Sequence, residues 1–126
     1  MEVQKAIYNP TVRNNATWEV TVTLKKSDGT AYDLTGFTGQ CQVRSSDGVK
    51  TVLATPTVTV TDQVNGVFKV FMSLAQTAVL PVTPCDNKRD KMPQYDVLLA
   101  NADKSVVLEA LEGHITVVAG VTTWSP

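Results

Sequence analysis

The chain predicts an all-β fold: an antiparallel β-sandwich of eight or nine strands with one short helical turn near 74–80. Three observations carry this expectation. Apolar and polar residues alternate over long runs of the 126 residues, as strands with one buried face require. Turn chemistry recurs between those runs, as "SDGT" (27–30), "SSDG" (45–48) and "VNG" (64–66). The composition is rich in Val and Thr, which suit a pleated surface. A hydrophobic content of 43% at this length can bury a core in one domain, residues 1–126, with a C-terminal tail at about 121–126.

Taken in order, "TWEVTVTLK" (17–25) puts Trp18, Val20, Val22 and Leu24 on one face and Thr17, Glu19, Thr21, Thr23 and Lys25 on the other. The turn "SDGT" follows, with Gly29 placed for positive φ. "AYDLTGFTGQ" (31–40) then reads as a structural corner. Leu34 and Phe37 plug the core, and Gly36 supplies the backbone freedom of the bend. Gly39 faces inward, where a side chain would clash, and Asp33 and Thr35 bond backbone groups of the corner. "FTGQCQVR" (37–44) directs Phe37, Gly39, Cys41 and Val43 inward. "KTVLAT" (50–55) and "TVTVT" (57–61) are strands separated by Pro56, which has no N–H to give a central ladder.

"VFKVFMS" (67–73) is a strand with apolar residues on both faces. "LAQTAVL" (74–80) breaks the alternation: Leu74, Thr77, Ala78 and Leu80 follow helical spacing until Pro81. A charged, Pro-rich loop, "PVTPCDNKRDKMP" (81–93), leads to the strand "QYDVLLA" (94–100) and the turn "NADK" (101–104). "SVVLEALEGHITVV" (105–118) has two readings, a helix through "VVLEALE" or two strands hinged at Glu112–Gly113. The β-branched residues on both sides favour the strands.

Composition excludes several functions. A net charge of −1, from 11 basic and 12 acidic residues, gives no electrostatic case for nucleic acid or an acidic membrane. No apolar run approaches the ~18 residues of a membrane-spanning helix. "MEVQKAIYNP" lacks the basic start and apolar stretch of a signal peptide, so the sequon at Asn15 reads as incidental. Cys41 and Cys85 are no disulfide framework. Cys41 reads as a small buried hydrophobe, and Cys85 lies in the Pro-bounded loop.

Nor is there marked chemistry. The single histidine, His114, points outward if Ile115 and Val117 point inward. Cys41, Cys85 and His114 are too scattered to suggest zinc. "DNKRD" (86–90) imitates the start of a calcium loop, but Lys88, Arg89 and the missing glycine argue against it. No nucleophile motif occurs and no carboxylate pair is singled out. The expectation is a protein that is not an enzyme and takes no cofactor or metal.

Surplus apolar surface is the feature that points to a role. With Phe68, Val70 and Met72 inward, Val67 and Phe71 face out; with Tyr95, Val97 and Leu99 inward, Leu98 and Ala100 face out. Val107 and Val118 add to this. One sheet with two apolar faces is expected, either covered by a loop or the helical turn, or serving as a protein–protein contact. Trp124, in "GVTTWSP" (120–126), is an interface anchor or folds back on its own domain. The candidate partner-binding residues are Phe71, Leu98, Trp124, Lys88 and Arg89.

The order of motifs resembles the Ig-like β-sandwich proteins of tailed-phage virions, the group that includes the N-terminal domain of the baseplate upper protein. An alternating strand leads to the "DGT" turn (28–30), a "DLTG" corner (33–36) and a strand ending "CQVR" (41–44). The short helical "LAQT…L" element (74–80), a "YDV" strand (95–97) and a closing "EGHITVVAGVT" (112–122) follow. The similarity covers about residues 16–122 and departs in the longer, more charged 81–93 loop and in the absence of a downstream fibre or receptor-binding region. It implies an Ig-like fold and a non-enzymatic structural component of the virion, made in the host cytoplasm. Its implied role is docking or connection to other virion proteins in several copies per particle, in the tail, baseplate or fibre attachment, with capsid decoration as the runner-up. A host-surface carbohydrate-binding module is a second class, for which Tyr8, Tyr32, Trp124 and Phe71 are the scattered aromatics available. A small hydrolase built on His114 or a carboxylate pair is the third.

Overall fold

The computed structural model describes residues 6–46, 50–83 and 92–119. In chain order the elements are β1 (Ala6–Ile7), β2 (Thr11–Arg13), β3 (Trp18–Thr23), β4 (Thr38–Arg44), β5 (Val52–Ala54), β6 (Thr57–Asp62), β7 (Val67–Met72), α1 (Leu74–Ala78), β8 (Gln94–Ala100), β9 (Val107–His114) and β10 (Thr116–Val118). The fold is all-β and sandwich-like. A five-stranded sheet runs β1-β9-β8-β4-β5, a three-stranded sheet runs β3-β7-β6, and β10 pairs with β2.

Alternation places the core where the sequence predicts it. Phe68, Val70 and Met72 of β7 are fully buried, as are Val97 and Leu99 of β8, with Cys41 and Val43 of β4 beside them. Burying one such large side chain contributes roughly 1.5–3 kcal/mol. Leu24, Leu34, Leu80, Ile115 and Val117 extend the same cluster from the strand ends and connections. Pro56 sits where the chain leaves β5 in one sheet and enters β6 in the other, a place where no ladder needs its missing N–H.

Local chemistry holds the connections. Gly29 and Gly36 have φ of +89° and +81°, as the two bends around β3 and β4 require. Asp28 Oδ1 accepts from the Thr30 amide and hydroxyl, and Asp33 Oδ1 accepts from those of Thr35. Leu34 is fully buried beneath this corner, and Phe37 meets Tyr32 edge-on at 6.0 Å between ring centroids. Gly39 faces inward as expected: a Cβ there would lie 2.9 Å from Leu99 Cδ2 and closer still to Val58. The turn 45–48 is described only at its edges, where Ser45 N–H donates to Thr51 O at 2.9 Å. In α1, Ser73 and Gln76 form a reciprocal capping box, and Gln76 Nε2 donates to Thr55 O beside β5.

Three expectations need correction. The described strands number ten, because "AI" and "TVR" near the N-terminus form β1 and β2. These pair parallel, Ala6 with Leu111 and Thr11 with Thr116, so the sandwich is antiparallel only in its body. Segments this short show no period in sequence. The break in 105–118 falls at Ile115, with β9 continuous through Glu112 and Gly113. Glycine is required at 113 because the backbone of Tyr8 passes where a Cβ would be. A bulge opposite Val97–Leu98 lets Ala110 and Leu111 both turn inward, which explains the helix-like spacing of "VVLEALE".

The N-terminal segment rides beside the C-terminal one across this break. Tyr8 N–H donates to Glu112 O, His114 N–H to Asn9 Oδ1, Thr116 N–H to Pro10 O and Asn14 N–H to Val118 O. The Tyr95 hydroxyl closes the clasp by donating to Tyr8 O at 2.6 Å. Burial, with the nearby Cys41 and Tyr8 groups, pushes the Tyr95 hydroxyl well above the ordinary tyrosine range.

Candidate interaction surface

The expected single sheet with two apolar faces does not form. Phe71 and Leu98 lie on the central strands of different sheets, facing outward on each. Sheet membership depends on pairings that the pattern of either strand leaves open.

The two residues meet different surroundings. Phe71 is half-buried, with Glu19 of β3 and Thr57 of β6 directly opposite it. Lys69, on the same face, reaches Glu19 at 3.8 Å. Leu98 is 40% exposed, between Gln40 of β4 and Glu109 of β9. With Ala100 and Val107 it lines a shallow hollow of about 230 Å³, framed by Thr38, Gln40 and Lys104. The helical turn does not cover it: no residue of α1 lines the hollow, and α1 lies against β5 at the sheet's edge. Val118, also exposed, belongs to β10 and is not in this hollow.

The other end of the five-stranded sheet's outer face is mixed, with exposed Ile7 and Val52 on the edge strands opposite Glu112 and Arg44. At the opposite end from Val107, a hollow of about 180 Å³ is lined by Gln42, Arg44, Lys50, Gln94, Asp96 and Glu112. Arg44 is oriented there by bonds to Gln42 Oε1 at 2.8 Å and Lys50 O at 3.0 Å. His114 is half-buried, and its Nε2 lies 3.3 Å from Gln94 Nε2. Cys41, on the inner face of the same sheet, points away from His114, so the two cannot share a metal ion. Burial and then the charge of Asp96 push the Cys41 thiol up to about 12, which leaves it protonated and unreactive near neutrality.

Among the described residues no cluster of three or more His, Cys, Asp or Glu side chains could hold a metal ion. No helix among them is long and apolar enough to cross a membrane. Trp124, Lys88, Arg89, Cys85 and the "DNKRD" run lie outside the described residues. Sequence reading missed the polar frame of the Leu98 hollow and the aromatic corner, where Tyr32 and Phe37 line a third hollow with Lys26 and Asp33. The adjacency of "YD" and "F" in 31–40 was its only trace. No protein-family model matches the chain, and no curated protein does.

Proposed function

We propose that this chain is a non-enzymatic structural protein of a tailed-phage virion, a docking or connector module in the tail, baseplate or fibre attachment. The observation that carries the reading is the Leu98–Ala100–Val107 hollow on the outer face of the five-stranded sheet, where Leu98 and Val107 are exposed side by side. An apolar outward patch between polar strands is what a partner surface would cover. The order of the "DGT", "DLTG", "CQVR" and "YDV" motifs supports the virion setting.

The test is incorporation. Particles purified from the source culture should contain the chain, and a density map should place the Leu98 face against a neighbouring virion protein. A Leu98→Glu variant of normal circular dichroism and melting temperature should be lost from those particles. Particles without the chain would sink the virion reading. Position on the shell rather than the tail would select capsid decoration instead.

One observation favours the carbohydrate reading as a second candidate: Tyr32 and Phe37 beside Asp33 and Lys26 combine ring surface with charged hydrogen-bonding groups. Glycan-array binding that disappears in Tyr32→Ala would establish it, and an array without hits would remove it.

A further inference from the structure

The four edges of the two larger sheets are not alike. β1 has two residues, and β5 has three with a register shift against β4. β6 follows Pro56 and carries a register shift between Val60 and Asp62. Short length, proline and bulges are the ordinary ways of blunting an edge. β3 has none of them: its six residues pair with β7 in unbroken register, and no described strand lies on its other side.

The backbone of β3 is set up to pair outward. Leu24 N–H donates to Gly66 O at 2.8 Å, and Leu24 O accepts from Tyr32 N–H at 3.0 Å. Alternation then turns the backbone groups of Trp18, Val20 and Val22 toward β7, and those of Glu19, Thr21 and Thr23 outward. The Lys25–Ala31 bridge is closed by its flanking bonds, Lys26 N–H to Thr30 O among them, so Lys25 also points its own groups outward. The core-facing side chains of this edge are incompletely covered. Trp18, Val20 and Val22 are half-buried, whereas Met72, Val70 and Phe68 opposite them are fully buried.

We propose that β3 pairs antiparallel with β3 of a second copy about a two-fold axis at Val22, joining two three-stranded sheets into one. Charge complementarity favours a second copy as the partner. In this register Glu19 of each copy faces Lys25 of the other, and symmetry makes the contact twice. Thr21 faces Thr23 at positions where both backbone bonds are exchanged, and Val22 faces Val22 on the core side. Sliding the pairing by two residues in either direction sets Glu19 against Thr23 or Ser27 and loses both ion pairs. Charges on an edge normally discourage pairing; here their order along β3 makes one self-pairing favourable. This inference does not depend on the virion reading.

Sedimentation of the full chain across the micromolar range should show a reversible dimer. Thr21→Pro removes an outward N–H without touching the β7 ladder and should yield a folded monomer. Lys25→Glu, which keeps the backbone intact, should weaken the dimer about tenfold, and the double exchange Glu19→Lys/Lys25→Glu should restore it. A wild-type chain that stays monomeric overturns the proposal. So does a monomer whose Thr21 and Thr23 amides resist hydrogen exchange, which would give the edge to another segment of the same chain. A dimer unmoved by Lys25→Glu but broken by Leu98→Glu would also overturn it and move the contact to the other sheet.

Discussion

The turns Asp28–Gly29–Thr30 and Asp33–Leu34–Thr35 make the same bonds around different middle residues. In each, the carboxylate accepts a threonine amide, at 3.0 and 2.9 Å, and a threonine hydroxyl, at 2.6 Å in both. In the first, a Cβ on Gly29 would meet open space; in the second, Leu34 is fully buried. The polar bonds set the bend in both places. Only the second turn is tied to the packing of the sandwich, through one side chain. The comparison separates two contributions usually found together, local turn chemistry and core attachment.

The most severe way to break the pair is Leu34→Ala. It should cost about 2–5 kcal/mol in denaturant unfolding, as a cavity under the corner. A loss similar to that of Gly29→Ala would mean that Leu34 is not a core anchor. Next come Gly29→Ala and Gly36→Ala, each on a positive φ with open space around the added methyl. Both should cost about 1 kcal/mol, since the strain is conformational and not steric. A clearly larger loss at Gly36 would show that the corner transmits strain to the core.

Thr30→Ala and Thr35→Ala should be milder and nearly equal, because the bonds they remove are exposed. The smallest effect is on pH dependence. The Thr30 and Thr35 hydroxyls, and then their amides, hold the Asp28 and Asp33 carboxyls below the usual carboxylate range, and the Ser105 amide, and then its hydroxyl, lowers Asp103. Carboxyls lowered in the folded state stabilise it above the unfolded aspartate range, near pH ~4, and lose that contribution as pH falls further. Acid titration of stability should therefore be shallower in Thr30→Ala and Thr35→Ala by similar amounts. An unchanged acid limb in either variant would show that its carboxylate bond contributes nothing.

Much of the body was legible because each strand carries its own evidence. The runs 17–25, 37–44 and 94–100 show which side chains are buried, and the helical turn is marked by the loss of alternation and by Pro81. The DLTG corner was readable in detail, since its bonds are local. What stayed hidden was non-local. β1 and β2 are defined by partners at the far end of the chain, and the β9 bulge disguises a strand as a helix. The outward direction of Phe71 and Leu98 followed from alternation, but their assignment to different sheets did not. The open edge at β3 was invisible for the same reason, although Glu19 and Lys25 were plainly on one face.

The clasp between the N-terminal segment and β9–β10 bears on the time course of folding. Ala6 cannot meet its register partner until Leu111 has been synthesised, so this pairing closes nearly the longest loop in the chain. The hairpin of β6 and β7 is local and can form early, whereas the clasp awaits residues 111–118. Until then the outer edge of β9 stands unpaired, and the Tyr95 hydroxyl lacks the carbonyl it meets in the finished protein. Ordering of residues 6–13 thus marks the end of folding, and a slow kinetic phase should report on the joining of the two ends.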